Sequence, residues 1–334
     1  MENLFSRCVK SLLAASVLAL GLSGPALAKD KLKLGMPAKN FLNLVEYVAV
    51  DRGIFDKHDL DVEFLQIADS SIPVRALISG DLHVSEAGMA ETLAAIDKGG
   101  DLRTIGGVHT GLHYGFWVNR AAGVRSVKDL PGKKVGISSP GSLPHVVIVA
   151  LMRQAGMTDA DIAKVSWVSM KGSAARINGV VAGTIDATVS GYDPKAARAP
   201  SAEMLFSVAK KLPDYVMTPW DVRAETLNKN RDMIKRFIKA ELEATRWIFA
   251  NKAQALEIAK KHFDYAPGDL EAFYEFYTAG GVWNRDGIVT PEEAQYMQQL
   301  NVEAKLQRAV QPAAKVLDTR VLQEVLGEVG RITR

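Results

Sequence analysis

The constraint that most narrows the fold is a strand-and-helix rhythm that the chain runs through twice. Lys31-Leu-Lys-Leu-Gly-Met36 alternates polar and apolar residues, as a strand with one covered face does. Phe41 to Arg52 then places Leu44, Val45, Val48 and Ala49 on one helical face, and Gly53 ends that helix. Leu60 to Leu65 reads as a second strand, Pro73 to Gly80 as a second helix and Asp81 to Ser85 as a third strand. After residue 115 the pattern returns. Strands at Lys134 to Ile137, Val165 to Val168 and Ala187 to Ser190 alternate with helices at Pro144 to Ala155, Ala174 to Ala182 and Pro194 to Ala199. Each β-α-β-α-β run implies parallel strands joined by right-handed crossovers.

Two such runs predict an α/β protein of two lobes, each a mostly parallel sheet flanked by helices. Ile105 to Val118, apolar and interrupted by glycine, reads as a strand crossing between them, and Leu212 to Val222 as the return. The rest reads as helical: Thr226 to Asn251, Lys252 to His262, Pro267 to Thr278, Pro291 to Gln299 and Val321 to Val329. Residues 29–112 and 218–334 are expected to build the first lobe and 113–217 the second, with the two crossings as hinge.

Residues 1–28 read as an export signal. Arg7 and Lys10 precede an apolar stretch, Leu12 to Leu22, and Ala26-Leu-Ala28 fits a small-x-small cleavage site, so cleavage is expected after Ala28. The apolar stretch is too short to span a bilayer comfortably. The one cysteine, Cys8, falls inside this leader and far from the cleavage site, so it is not a lipid-bearing residue. A mature chain without thiols has no disulfide, no cysteine nucleophile and no thiolate metal site. Those properties together predict the bacterial periplasm. A net charge of +3 over 334 residues lacks the strong basic excess of a nucleic-acid binder.

Ligands of open α/β sheets bind beyond the carboxyl ends of the strands. Val127-Lys-Asp-Leu-Pro-Gly-Lys-Lys-Val-Gly-Ile-Ser-Ser-Pro-Gly-Ser142 is the most telling of these ends. It is a turn, a short strand and a loop of small hydroxyl residues opening a helix. Ser138, Ser139, Gly141 and Ser142, with the amides of Leu143, His145 and Val146, offer donors to a small polar or anionic ligand. Ordinary capping of the helix by Ser142 is the bland alternative. At the other ends stand Lys39 and Asn40, Gly88 and Met89, and Ser190, Tyr192 and Asp193. Asn40 and Asp193 are also natural helix caps, and Asp193 precedes Pro194 at the first helical position. Thr110 and Tyr114 are expected on the cleft floor, and Trp220 either against the ligand or in the core. Glu86 and Glu91 read as structural or solvated, and Arg176 as an anion clamp or, by preference, a surface residue. His109 and His113 are four apart on a strand, about 13 Å, too far for one ion.

Four segments carry a resemblance. They are Gly53-Ile-Phe-Asp-Lys-His-Asp-Leu-Asp-Val-Glu63, Leu77-Ile-Ser-Gly-Asp-Leu82, Val127 to Ser142, and Gly183-Thr-Ile-Asp-Ala-Thr-Val-Ser-Gly-Tyr-Asp-Pro194, with the Ala240 to Ala253 helix. In these the chain resembles the type II periplasmic solute-binding proteins of ABC importers, in the sulfonate/nitrate/taurine branch. That branch shares its fold with pyrimidine-precursor binding and synthase proteins. The resemblance implies a monomeric receptor without cofactor or metal, closing on a small-molecule solute and presenting it to an inner-membrane permease and its ATPase. It implies a small organic anion, sulfonate- or carboxylate-like, as ligand, with a neutral heteroaromatic such as a pyrimidine precursor as alternative. A sensor or other transport module would share the fold. Catalysis is not expected: the synthase relatives need cysteines, and no Gly-x-Ser-x-Gly, His-Glu-x-x-His or P-loop pattern occurs.

Overall fold

Strand β1 (Asp30–Met36) lies between β2 (Leu60–Gln66) and β3 (Val84–Ser85), parallel to both. Their burial alternates as the sequence pattern demands: Leu32 and Leu34 are fully buried, Lys31 and Lys33 exposed. These assignments come from a computed structural model, which describes residues 29–36, 39–66 and 71–332. The expected signal peptide, Pro37 and most of the loop at 69–71 lie outside the described residues. Helices α1 (Leu44–Asp51) and α2 (Ser71–Ser79) make the crossovers, and α3 (Met89–Asp97) follows β3.

The second run builds a second sheet on the same plan. β6 (Lys134–Ile137) pairs in parallel with β7 (Ser166–Ser169) and β8 (Ala187–Gly191), joined through α4 (Leu143–Gln154) and α5 (Ser173–Ala182). With β4 (Leu102–His109), β5 (Tyr114–Asn119), β9 (Ala202–Ser207) and β10 (Thr218–Arg223), the sheet orders are β2-β1-β3-β10-β4 and β7-β6-β8-β5-β9. Each therefore has three parallel strands followed by two whose pairings are antiparallel. β4 (Leu102–His109) ends in the first sheet and β5 (Tyr114–Asn119) begins in the second. The single crossing strand expected over Ile105 to Val118 is thus two strands broken at residues 110–113. The break is where the backbone of Gly111 packs against Gly281 and Val282, too close for any Cβ. β9 (Ala202–Ser207), absent from the sequence reading, edges the second sheet. β10 (Thr218–Arg223) returns to lie antiparallel between β3 and β4.

The helical remainder covers the first sheet. α7 (Arg231–Ala250) buries Phe237, Ile238, Ala244 and Ile248 against α1 and the sheet. It starts only at Arg231: the helix expected from Thr226 is interrupted at Asn230, whose φ of −118° is not helical. α8 (Lys252–His262), α9 (Pro267–Ala279), α10 (Pro291–Glu303) and α11 (Arg320–Val329) follow. Among the described residues no helix is long and apolar enough to cross a membrane.

The short helix α6 (Pro194–Arg198) of the second lobe meets α9 of the first. Tyr192, just before α6, stacks on Phe276 of α9, and Arg198 pairs with Asp269 at 2.5 Å. The lobes are in contact along this edge.

Candidate functional site

Between the lobes lies a cavity of about 550 Å³. Its first wall is the β3–α3 turn, Glu86 to Glu91, and its second is the β6–α4 loop with Tyr114 from the start of β5. Tyr215, Met217 and Thr218 of the return crossing form the floor, and Met297, Leu300 and Asn301 of α10 close one side. The sequence makes this geometry because both walls are strand-to-helix junctions. α3 starts at Met89 after Gly88, and α4 starts at Leu143 after Ser142. The first-turn amides of Ala90 and Leu143 have no intrahelical acceptor, and both helices bring the positive end of their dipole to the cavity. Met89 N–H donates to the Met217 carbonyl at 2.8 Å, tying α3 to the return crossing. Asn301 Nδ2 donates to the Ala90 carbonyl at 2.8 Å and fixes α10 against the same turn.

Gly88 leaves room for a neighbouring side chain. The Glu91 carboxylate folds back over the start of α3, and a Cβ at position 88 would collide with it. Behind this wall Glu86 is buried, and desolvation pushes its carboxyl up to about 8. Tyr114 on the opposite wall is also held above the usual phenol range by burial.

Of the residues singled out from sequence, Gly88, Met89, Tyr114, Gly141 and Ser142 line this cavity. The loop that carries the last two is braced from within. Ser142 Oγ donates to the Ser139 carbonyl at 2.6 Å and accepts from Ser139 N–H, so it does not cap α4. His145 Nδ1 accepts from Gly141 N–H at 3.0 Å, with its ring edge-on to Trp167. Val146 N–H, expected as a ligand donor, is spent on the Ser142 carbonyl.

The other candidates are engaged elsewhere. Ser138 Oγ accepts from Arg176 Nη1 at 2.8 Å, and Ser190, fully buried, donates to the Ser173 carbonyl at 3.2 Å. Asp193 caps α6 through Lys195 and Ala196 N–H. Asn40 likewise accepts from Leu42 N–H, and exposed Lys39 lies over the Tyr47 ring at 5.0 Å. Thr110 lines a second cavity of about 680 Å³ beside Trp283 and Asn284. Trp220 is fully buried, edge-on to Phe237, so of its two readings the structure favours the core.

Arg176 overturns the surface reading and not the anion-clamp one. It is not on the surface but 2% exposed, held by Ser138, the Met170 carbonyl and Ser173. Among the described residues it has no carboxylate partner, which leaves a buried positive charge behind the second wall. Glu86, expected as structural or solvated, is not solvated: it is buried and stands among the residues that line the cavity. Glu46 was missed. Its signal was present in the sequence, an acid inside the apolar run Phe41-Leu-Asn-Leu-Val-Glu-Tyr-Val-Ala-Val50.

The model of the NMT1/THI5 like family matches residues 40–255, well over half of the chain and both walls of the cavity. The chain belongs to the NMT1/THI5 like family. A relative of this NMT1/THI5 like protein in Haemophilus influenzae, named for thiamine biosynthesis, is 23% identical over 260 residues. The match covers 76% of this chain and 79% of the relative. Two solved structures match its architecture. The periplasmic aliphatic sulphonate binding protein of Escherichia coli has a TM-score of 0.70 at 16% identity, covering 86% of this chain and 92% of that one. The periplasmic nitrate-binding protein of Synechocystis PCC 6803 has a TM-score of 0.67 at 16% identity, covering 90% and 89%. These likenesses establish the fold of this NMT1/THI5 like chain as the two-lobed α/β architecture of periplasmic binding proteins.

Proposed function

We propose that this protein is a periplasmic solute receptor that closes its lobes on a small molecule and delivers it to an ABC permease and its ATPase. The observation that carries the reading is the cavity between the lobes, walled by the first turns of α3 and α4. The leader expected over residues 1–28 and the periplasmic solved relatives support the compartment. Among the described residues lining the cavity there is no histidine, lysine or cysteine to act as nucleophile or base partner, which supports binding over catalysis.

The lining bears on ligand chemistry. Leu143, Val146, Tyr215, Met217 and Met297 offer an apolar enclosure, and the described residues lining it include the Glu91 carboxyl and no lysine or arginine. Carboxyl groups accept hydrogen bonds from amino nitrogens and repel anions. We therefore favour a flat, donor-bearing heteroaromatic of the aminopyrimidine kind over a small organic anion. The buried, carboxylate-free guanidinium of Arg176 supports the second reading, an organic sulfonate or carboxylate reaching past Ser138.

A thermal-shift and calorimetry panel of aminopyrimidines, alkanesulfonates and carboxylates tests both. A cognate ligand at about 100 times its Kd stabilises the protein by about 2.7 kcal/mol. An aminopyrimidine that binds and is weakened by Glu91→Gln supports the first reading. A sulfonate that binds and is lost in Arg176→Gln replaces it with the second. A panel in which nothing binds overturns both.

A further inference from the structure

Beneath the inner wall of the cavity lies a group of side chains that solute binding leaves unexplained. Glu46 on α1, Glu86 after β3 and His109 at the end of β4 are buried, with 0% side-chain exposure for each. One donor atom from each lies within 4.8 Å of the others. His109 Nδ1 is 3.2 Å from Glu86 Oε1, and its Nε2 is 3.5 Å from Glu46 Oε1. None of the four carboxylate oxygens and neither ring nitrogen meets hydrogen-bond geometry with any group among the described residues. Glu241 of α7, within electrostatic reach of Glu46 and Glu86, is fully buried and leaves both its oxygens unpartnered as well.

Such a group is costly in an apolar core. A buried carboxylate without hydrogen bonds or counter-charge is destabilising by several kcal/mol, and folded proteins keep such groups protonated, pair them or coordinate a metal with them. No lysine or arginine forms an ion pair with Glu46, Glu86 or Glu241 among the described residues. His109 turns a different ring nitrogen to each carboxylate, Nδ1 to Glu86 and Nε2 to Glu46, and one donor atom from each of the three lies within 4.8 Å of the others. Side-chain rotation must therefore draw them in to the roughly 3.3–3.6 Å that separates donors around a tetrahedral ion with bonds of about 2.0–2.2 Å.

We propose that Glu46, Glu86 and His109 bind a resident divalent transition-metal ion behind the first wall of the interlobe cavity. Two carboxylates cancel the charge of the ion, and the mixed oxygen and imidazole set suits zinc, manganese or ferrous iron. The ion takes one nitrogen of His109; the other N–H then donates to a carboxylate oxygen, the contact that orients a metal-bound imidazole. His109 finds its partners on neighbouring elements and not in His113, so the four-residue spacing between the two histidines plays no part. Glu86 is also among the residues that line the cavity, although its side chain is fully buried. The ion belongs to the scaffold of the first lobe, and the proposal stands whichever solute the cavity takes.

The experiment uses the full mature chain. Its metal content is measured by mass spectrometry after purification, and the chelator-stripped protein is titrated with Zn²⁺, Mn²⁺ and Co²⁺. The expected result is one equivalent of ion and, for Co²⁺, a visible absorption band. Glu46→Gln and His109→Gln should weaken binding by more than the about 10–100-fold that loss of an outer partner causes. His58→Gln, at the surface pair with Glu243, should retain it. X-ray absorption of the wild-type zinc form keeps the proposal falsifiable should the buried variants fail to fold: it should show oxygen ligands and a single imidazole. Failure of all three ions to bind, binding undiminished in a folded Glu46→Gln or His109→Gln protein, or a ligand shell of several imidazoles would each overturn it.

Discussion

Tyr192 of the second lobe stacks on Phe276 of the first with ring centroids 4.3 Å apart and planes within 4° of parallel. The pair makes an aromatic latch at the edge of the cleft, continued by Phe273, edge-on to Tyr192 at 5.8 Å. A residue expected to touch ligand thus touches the opposite lobe. Tyr192→Ala should remove about 0.5–1.5 kcal/mol of stacking from the closed form beyond its lost area. Since a ligand shared by both lobes needs that form, affinity should fall roughly 2–10-fold or more. Small-angle scattering should report a larger mean radius, and calorimetry the weaker binding.

Gly111 sits where the chain passes from β4 to β5, with its N–H donating to the Val282 carbonyl at 3.0 Å. Gly111→Ala would drive a methyl group into the backbone of Gly281 and Val282. Backbone cannot rotate away as a side chain does, so the loss should be about 1–3 kcal/mol of unfolding free energy. Urea denaturation measures it.

Trp220 separates a ligand reading from a core reading. Its ring is fully buried against Phe237. Trp220→Ala should cost about 3–5 kcal/mol, the range for deleting a large core side chain. Trp220→Phe should cost less, and in that variant ligand affinity should hold once folding is complete. A selective loss of affinity at unchanged stability would return Trp220 to the binding site.

Asp221 gives a pH prediction. It is fully buried, accepting from Thr92 Oγ1 at 2.6 Å and Thr104 Oγ1 at 2.5 Å. Burial pushes its carboxyl from the ordinary 3.8 up to about 7, with the Glu91 charge adding to the effect. Between those values the folded chain binds more protons than the unfolded one. This group therefore costs stability as pH rises through that window, and the cost levels off above the folded value. Asp221→Asn keeps an oxygen acceptor, and the threonine hydroxyls can turn to accept from its amide. The stability difference, variant minus parent, should grow in favour of the variant from about pH 4 to about pH 7 and then stay level. Urea midpoints across that range check it.

Much of the architecture was legible because burial leaves a period in the sequence. Lys31 to Met36 and Lys134 to Ile137 alternate or run apolar as one-faced and two-faced strands do, and both form. Breaks within apolar stretches were harder to see. Gly111 divides one apparent crossing into two strands because of what packs on it, a tertiary fact with no local signature. β9 escaped because Ala202-Glu-Met-Leu-Phe-Ser207 is half-buried along most of its length, without clean alternation. At the site, the two strand-to-helix junctions could be read, since loop composition marks them. Side-chain destinations were harder: Arg176 lies on a helix whose inward face only the fold defines, whereas Glu46 stands out as an acid within an apolar run.

The placement of β10 between β3 and β4 sets the order in which the molecule can be finished as it is synthesised. All five strands of the second sheet lie between Tyr114 and Ser207, whereas the first sheet keeps a gap in its middle until Arg223 has emerged. The half of the molecule that begins the polypeptide is therefore the last to mature. Two of its strands, β3 and β4, must wait, each unpaired on the side that β10 fills, for a segment made long after them.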